Sequence, residues 1–261
     1  MKGRLQGLDT GIDIYYNCAD EVRFIAKRAD HASREISRLR KEIKVYRELE
    51  KSSKQDTILS FEGKEENEVC LMLFLPYMEK GSVKQFLTNN YSPGIGEVRN
   101  WILSVTTALA WLHSKNIIWN GCSAKHVLLD NALDIRISGF GSSRRREKPI
   151  LKEDDIMREL RWKAPEVVQS FRCRRRSDIW SLGCLVVEML SGTDPHADCE
   201  SDFGVTWKLL RSHDPRPQLK DGLTKRYLSD FLSLTLKKDA SKRRAAEELV
   251  LHPFLLGKLE D

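Results

Sequence analysis

No stretch of this 261-residue chain is apolar for long enough to cross a bilayer. The longest runs, such as residues 71–75, fall far short of the roughly 20 residues that a spanning helix needs. The N-terminal stretch also lacks the charged-then-apolar pattern of a secretory leader, so a soluble protein is expected. The six cysteines (Cys18, Cys70, Cys122, Cys173, Cys184, Cys199) form no C-x-x-C pair and no Cys/His spacing suited to zinc. Free thiols in a reducing compartment follow, with the cytoplasm expected and the nucleus as the alternative. Internal repeats and low-complexity linkers are missing too, which excludes a solenoid or a linker-rich assembly. What is present is 41% hydrophobic sequence, enough at this length for one large or two-lobed domain. The net charge of +6 draws on Arg144-Arg145-Arg146 and Arg174-Arg175-Arg176. Such runs are either solvated surface or an attraction for acidic partners, and nucleic acid is not the expected partner.

Strand signals come first along the chain and helix signals later. Residues 11–16 and 22–27 are rich in β-branched and aromatic side chains and predict an antiparallel hairpin. Ile36, Leu39, Ile43, Tyr46 and Leu49 fall at helical spacing with charge on the other face. Residues 57–61 and 69–75 predict a second strand pair around a polar turn at 63–67. Residues 97–113 return to helical period through Trp101, Val105, Leu109 and Leu112, and 178–190 is apolar almost all round, as suits a central helix. Residues 77–81 are the expected hinge between a β-rich front and a helical back.

Ala164-Pro165-Glu166 after Trp162, then Ser177-Asp178-Ile179-Trp180-Ser181-Leu182-Gly183, then His252-Pro253-Phe254-Leu255 occur in order, with Ile117-Ile118 and Val127-Leu128-Leu129-Asp130 before them. Together they resemble the eukaryotic protein kinase domain over nearly the whole chain. Gly81-Ser82-Val83 and Ala246-Glu247-Glu248-Leu249 resemble the MAP-kinase-kinase-kinase-like serine/threonine branch. The resemblance implies an α+β, bilobal protein-kinase-like fold. Its small β-rich N-lobe with one regulatory helix would span 1–76, its hinge 77–81 and its larger, mainly helical C-lobe 82–261.

Phosphoryl transfer needs a lysine on the phosphates, metal ions held by Asp and Asn, and an aspartate facing the attacking hydroxyl. The family's H-R-D pattern is here Trp119-Asn120-Gly121, and glycine can neither accept a proton nor orient a substrate. The following lysine becomes Ser123, the magnesium-binding asparagine becomes His126, and D-F-G becomes Gly139-Phe140-Gly141. A histidine prefers softer metals than Mg²⁺. Asp130 and Asp134, the nearest carboxylates, fall in the turn between two strands and are expected to face away from the cleft. No catalytic residue and no metal site are therefore expected.

The nucleotide pocket reads both ways. Lys27, closing Phe24-Ile25-Ala26-Lys27, and Glu42 match the family's ion pair, while Ile14, Leu128, Leu75 and Met78 match its apolar and hinge contacts. In the glycine-rich turn only Gly7 falls on a motif glycine, with Asp9 and Ile12 on the other two; Asp9 would repel an anion, and Ile25 replaces a small alanine above adenine. Weak or absent ATP binding without Mg²⁺ is the expectation, with no cofactor assigned.

Positions that the family uses for architecture are kept. Phe140, Trp119 and Tyr46 match a column of side chains linking the lobes, Asp178 an anchor for catalytic-loop N–H groups, and Glu166 with Arg243 a buried ion pair. Glu159 stands where a Thr commonly bonds the catalytic aspartate, a bond that Gly121 cannot make. Ser142 and Ser143 are the hydroxyls of the activation segment and read as a polar loop or as phosphorylation sites. A pseudokinase acting as a protein-interaction or allosteric signalling module, with signalling proteins or kinases as partners, is the leading expectation. The alternatives are a residual or unconventional ATP-dependent serine/threonine kinase and a nucleotide sensor without turnover; oligomeric state is left open.

Overall fold

A computed structural model describes residues 2–8, 12–17, 23–52, 55–89, 91–219 and 225–257. Strands β1 (Lys2–Leu8), β2 (Ile12–Asn17) and β3 (Arg23–Asp30) lead into helix α1 (Ile36–Glu50), followed by β4 (Gly63–Glu66) and β5 (Cys70–Pro76). The five strands form one antiparallel sheet in the order β1-β2-β3-β5-β4. Next come β6 (Gly81–Ser82), α2 (Val83–Thr88), α3 (Ile95–Ser114), β7 (Ile117–Ile118), β8 (Val127–Leu129), β9 (Ile135–Ile137) and β10 (Arg144–Arg145). Helices α4 (Glu153–Met157), α5 (Pro165–Ser170), α6 (Arg175–Ser191), α7 (Asp202–Arg211), α8 (Arg226–Thr235) and α9 (Ala246–Leu249) complete the chain. The result is the α+β architecture expected, a sheet with one packed helix followed by a mainly helical region.

The hairpin β2–β3 and helix α1 form where the patterning predicts them, and α1 buries Leu39, Glu42, Ile43, Tyr46 and Leu49 on one face. Strand β1 was not singled out in the sequence; its pairing with β2 places Gly7 opposite Asp13, while Asp9 and Gly11 of the glycine-rich turn lie outside the described residues, as does Cys18. The second strand pair differs from expectation. Residues 57–61 do not pair with β5 but dock on β9, with Leu59 N donating to Ile137 O and Ile137 N to Thr57 O. The partner of β5 is β4, whose Gly-Lys-Glu-Glu sequence reads as a turn because it is an edge strand, and charge on an edge blocks further pairing. The turn itself sits later, where Asn67 Oδ1 accepts from Val69 N and Cys70 N.

Helix α2 is opened by a reciprocal cap: Ser82 Oγ accepts from Gln85 N, and Gln85 Oε1 accepts from Ser82 N. Helix α6 is buried from Ser177 to Met189, which explains its near-uniform apolar sequence, and it stops at Gly192, whose φ of +69° suits a left-handed cap. The main core runs from the sheet through α1 and α3 to α6 and α8, and a second cluster gathers Trp162, Trp180 and Val205.

Candidate functional site

Strand β3 and helix α1 bring Lys27 Nζ to 2.7 Å from Glu42 Oε1, with Glu42 buried and Lys27 half-buried. Ile14 and Ile25 face each other across β2 and β3, and Ile25 pairs with the fully buried Leu75 on β5. Met78 is buried beyond the end of that strand and Leu128 is half-buried on β8.

The segment after β7 is held from below by α6. Asp178 Oδ2 accepts from Trp119 N at 2.9 Å and Oδ1 from Asn120 N at 2.8 Å, while His113 Nε2 lies 2.8 Å from Oδ2. Those are the N–H groups the resemblance assigns to Asp178. Trp119 is fully buried and donates from Nε1 to Ser138 O. Phe140 meets Tyr46 edge to face at 5.0 Å, and Tyr46 stacks on Phe61 at 6.2 Å, so a run of aromatic rings links α1 to the segment after β9. Arg243 grips Glu166 through two bonds of 2.7 and 2.8 Å, lies over the Trp180 ring, and donates to Arg176 O and Lys237 O. Asp130 and Asp134 occupy the β8–β9 turn, where Asp130 Oδ1 accepts from Ala132 N and Asp134 N.

The replaced positions contact one another. Ser123 Oγ donates to Glu159 Oε1 at 2.7 Å, and His126 Nε2 lies 3.2 Å from the same oxygen. Burial by itself would raise the Glu159 carboxyl, but His126, Lys163 and Ser123 outweigh it and hold the group below the ordinary carboxylate range. Lys163 Nζ in turn donates to Asn120 O, and Asn120 Nδ2 to Ser142 O. Sequence reasoning treated Glu159 as a lost bond to Gly121; the structure gives it two other partners. Three simultaneous departures at 123, 126 and 159 were the available signal, but only the fold brings them within bonding distance.

Glycine is required at 139. Its φ is +76°, and a Cβ there would stand 2.3 Å from His126 Nδ1 and 2.5 Å from His126 Cγ. The imidazole thus covers the place from which a side chain at 139 would leave the backbone. A Cβ on Gly141 would meet Arg38 Cγ at 2.6 Å, because Arg38 reaches from α1 across the segment to Ser142 Oγ. Gly121 is buried rather than part of an open cleft, and a Cβ there would sit 3.1 Å from Gly139 O.

One other expectation is corrected. Ser142 and Ser143 do not form a polar loop: both are buried, with Ser142 accepting from Arg38 and Ser143 donating to Trp119 O. The basic runs are partly engaged within the chain, while Arg145, Arg146 and Arg174 remain exposed. Arg144 pairs with Asp155, Arg145 with Glu48, and Arg175 donates to Asn116 Oδ1.

A magnesium ion does not fit this arrangement. No carboxylate stands at 121 or 139, the His126 ring fills the adjoining space, and no cluster of three or more His, Cys, Asp or Glu exists among the described residues.

The chain is 32% identical over 228 residues to the mitogen-activated protein kinase kinase kinase MST11 of Pyricularia oryzae, covering 84% of this chain and 24% of that protein. It is 29% identical over 253 residues to human mitogen-activated protein kinase kinase kinase 3, covering 95% of this chain and 38% of that protein. A third relative, the serine/threonine-protein kinase ste20 of Aspergillus oryzae, is 30% identical over 205 residues, which is 78% of this chain and 24% of its own length. The chain therefore spans well under half of each of these relatives. Residues 17–255 match the family model described as protein kinase domain, and the chain belongs to that family.

Proposed function

We propose that this domain is a pseudokinase, a protein-interaction or allosteric signalling module that keeps the kinase architecture and does not transfer phosphate. The observation that carries this reading is the His126 ring lying against Gly139, at the position where the family places its metal-binding carboxylate. With Gly121 beside it, the site offers neither a general base nor a hard-metal ligand. Loss of a general base alone removes roughly 10²- to 10⁴-fold in rate. Ser123, His126 and Glu159 instead tie the loop between β7 and β8 to the stretch before α5, and Arg38 ties α1 to Ser142. These bonds favour one fixed arrangement of α1 and the 139–163 segment, which suits a surface presented to a partner. Lys27 and Glu42 then serve to hold α1 on the sheet, with nucleotide binding weak, metal-independent or absent. Signalling proteins, kinases among them, are the proposed partners, and the cytoplasm is the proposed compartment.

The test is phosphoryl transfer from labelled ATP to generic protein substrates with Mg²⁺ or Mn²⁺, against a Lys27→Met control, alongside a thermal-shift titration with ATP with and without metal. Equal background incorporation in both proteins, and no metal-dependent shift, are expected. Incorporation that needs metal and vanishes in the control would establish the alternative, an unconventional serine/threonine kinase. A shift with ATP and no turnover would make the domain a nucleotide sensor.

A further inference from the structure

Once Arg144 and Arg145 are engaged by Asp155 and Glu48, uncompensated charge gathers on α1 instead. Lys41, Lys44 and Val45, and then Glu48, recur at the three- and four-residue spacing that puts them on one helix face. Opposite that face, Ile117 of β7 and the β10 strand close a pocket of about 180 Å³, completed by Lys148. Five cationic side chains line it against a single carboxylate, that of Glu48, already engaged by Arg145. Lys41, Lys44 and Lys148 are exposed, and none of them has a side-chain hydrogen bond or ion pair among the described residues. Burial, together with Arg144, Lys152 and Arg38, pushes the Lys41 ammonium below its ordinary value, opposed by Asp155. The floor between the lysines is apolar, formed by half-buried Val45 and buried Ile117. This pocket shares no residue with the cavity around Lys27 and Glu42.

We propose that the pocket between α1 and the β7–β10 pair is a docking site for an acidic peptide segment that inserts one aliphatic or aromatic side chain between Lys44 and Lys148. The volume admits one side chain and not a drug-sized ligand, and the surrounding ammonium groups select carboxylates on either side of it. A bilayer surface or a nucleic-acid backbone would satisfy the lysines but leave the apolar floor uncovered. Since the site touches α1 and β10 together, its occupant would clamp the helix to the segment that follows Ser143. The proposal does not depend on whether the domain transfers phosphate.

The experiment is fluorescence anisotropy on the full chain with a fluorescein-labelled peptide of alternating Asp and Glu around one central Phe, compared with the same peptide carrying Ser in its place. The Phe peptide should bind about tenfold more tightly than the Ser peptide, and Lys44→Glu/Lys148→Glu should weaken it by about tenfold or more with the melting temperature unchanged. If that double variant melts early, Lys44→Ala/Lys148→Ala replaces it, with a loss of about threefold expected. Equal affinity for the two peptides, or binding indifferent to both double variants, would overturn the proposal. So would lysine-dependent sedimentation with phosphatidylserine vesicles in the absence of peptide binding.

Discussion

Restoring the family's metal-binding residue with Gly139→Asp should damage this protein rather than revive it. The left-handed backbone at 139 adds some strain, although Asp tolerates that region better than most residues. The larger obstacle is the His126 ring, 2.3 Å from where the new Cβ would stand. If the ring stays, the overlap costs about 1–3 kcal/mol of overpacking. If it swings away, the half-buried Glu159 carboxylate loses its 3.2 Å contact, at about 1–3 kcal/mol for a buried charged group left short of a partner. Either route, or a mixture, gives about 1–3 kcal/mol, which for a domain of this size lowers Tm by roughly 2–12 °C. Differential scanning fluorimetry of the parent, Gly139→Asp, His126→Ala and the double variant reads this directly. Removing the ring should make the aspartate cheaper, so the double variant should be less destabilised than the sum of the two single variants by about 1 kcal/mol or more. A Gly139→Asp protein that melts within a degree of its parent, or a strictly additive cycle, would refute the placement of His126 and with it the main support for the pseudokinase reading.

Other substitutions probe the anchors and a buried histidine. Asp178→Ala would strand the N–H groups of Trp119 and Asn120, and Arg243→Ala would strand Glu166, so each should cost roughly 3–5 kcal/mol and lower Tm by about 6–15 °C; parent-like melting of both would show that these contacts carry no weight. His196 is buried with neither ring nitrogen hydrogen-bonded among the described residues, and burial pushes it down to about 4. Its folded value lies below its unfolded one, so the unfolded chain binds more protons and stability is lost as pH falls from about 6.5 towards 4, by roughly 3 kcal/mol in all. Denaturant melts at pH 7 and pH 4 should therefore show His196→Leu gaining on the parent in acid, and an unchanged difference between the two would remove the effect.

Much of the architecture was legible because it rests on local pattern. Helix α1 follows from apolar residues at helical spacing, α6 from an apolar stretch too uniform for a surface, and the β2–β3 hairpin from β-branched and aromatic runs. The family followed from short ordered motifs, and Asp178, Glu166 and Arg243 occur within or beside them. The departures at 121, 123, 126 and 139 could also be read directly, because each is a change of chemical type. What those residues do could not be read, since Ser123, His126 and Glu159 are up to 36 residues apart in the chain and meet only when the 139–163 segment folds back over the loop after β7. The same reason hid β4, a charged strand whose identity depends on β5 beside it, and the destination of Arg144 and Arg145, whose carboxylate partners lie on α4 and α1. Sequence alone decides which groups a chain possesses; which of them face each other, and which charges remain free for a partner, is set by distances that exist only after the chain has packed.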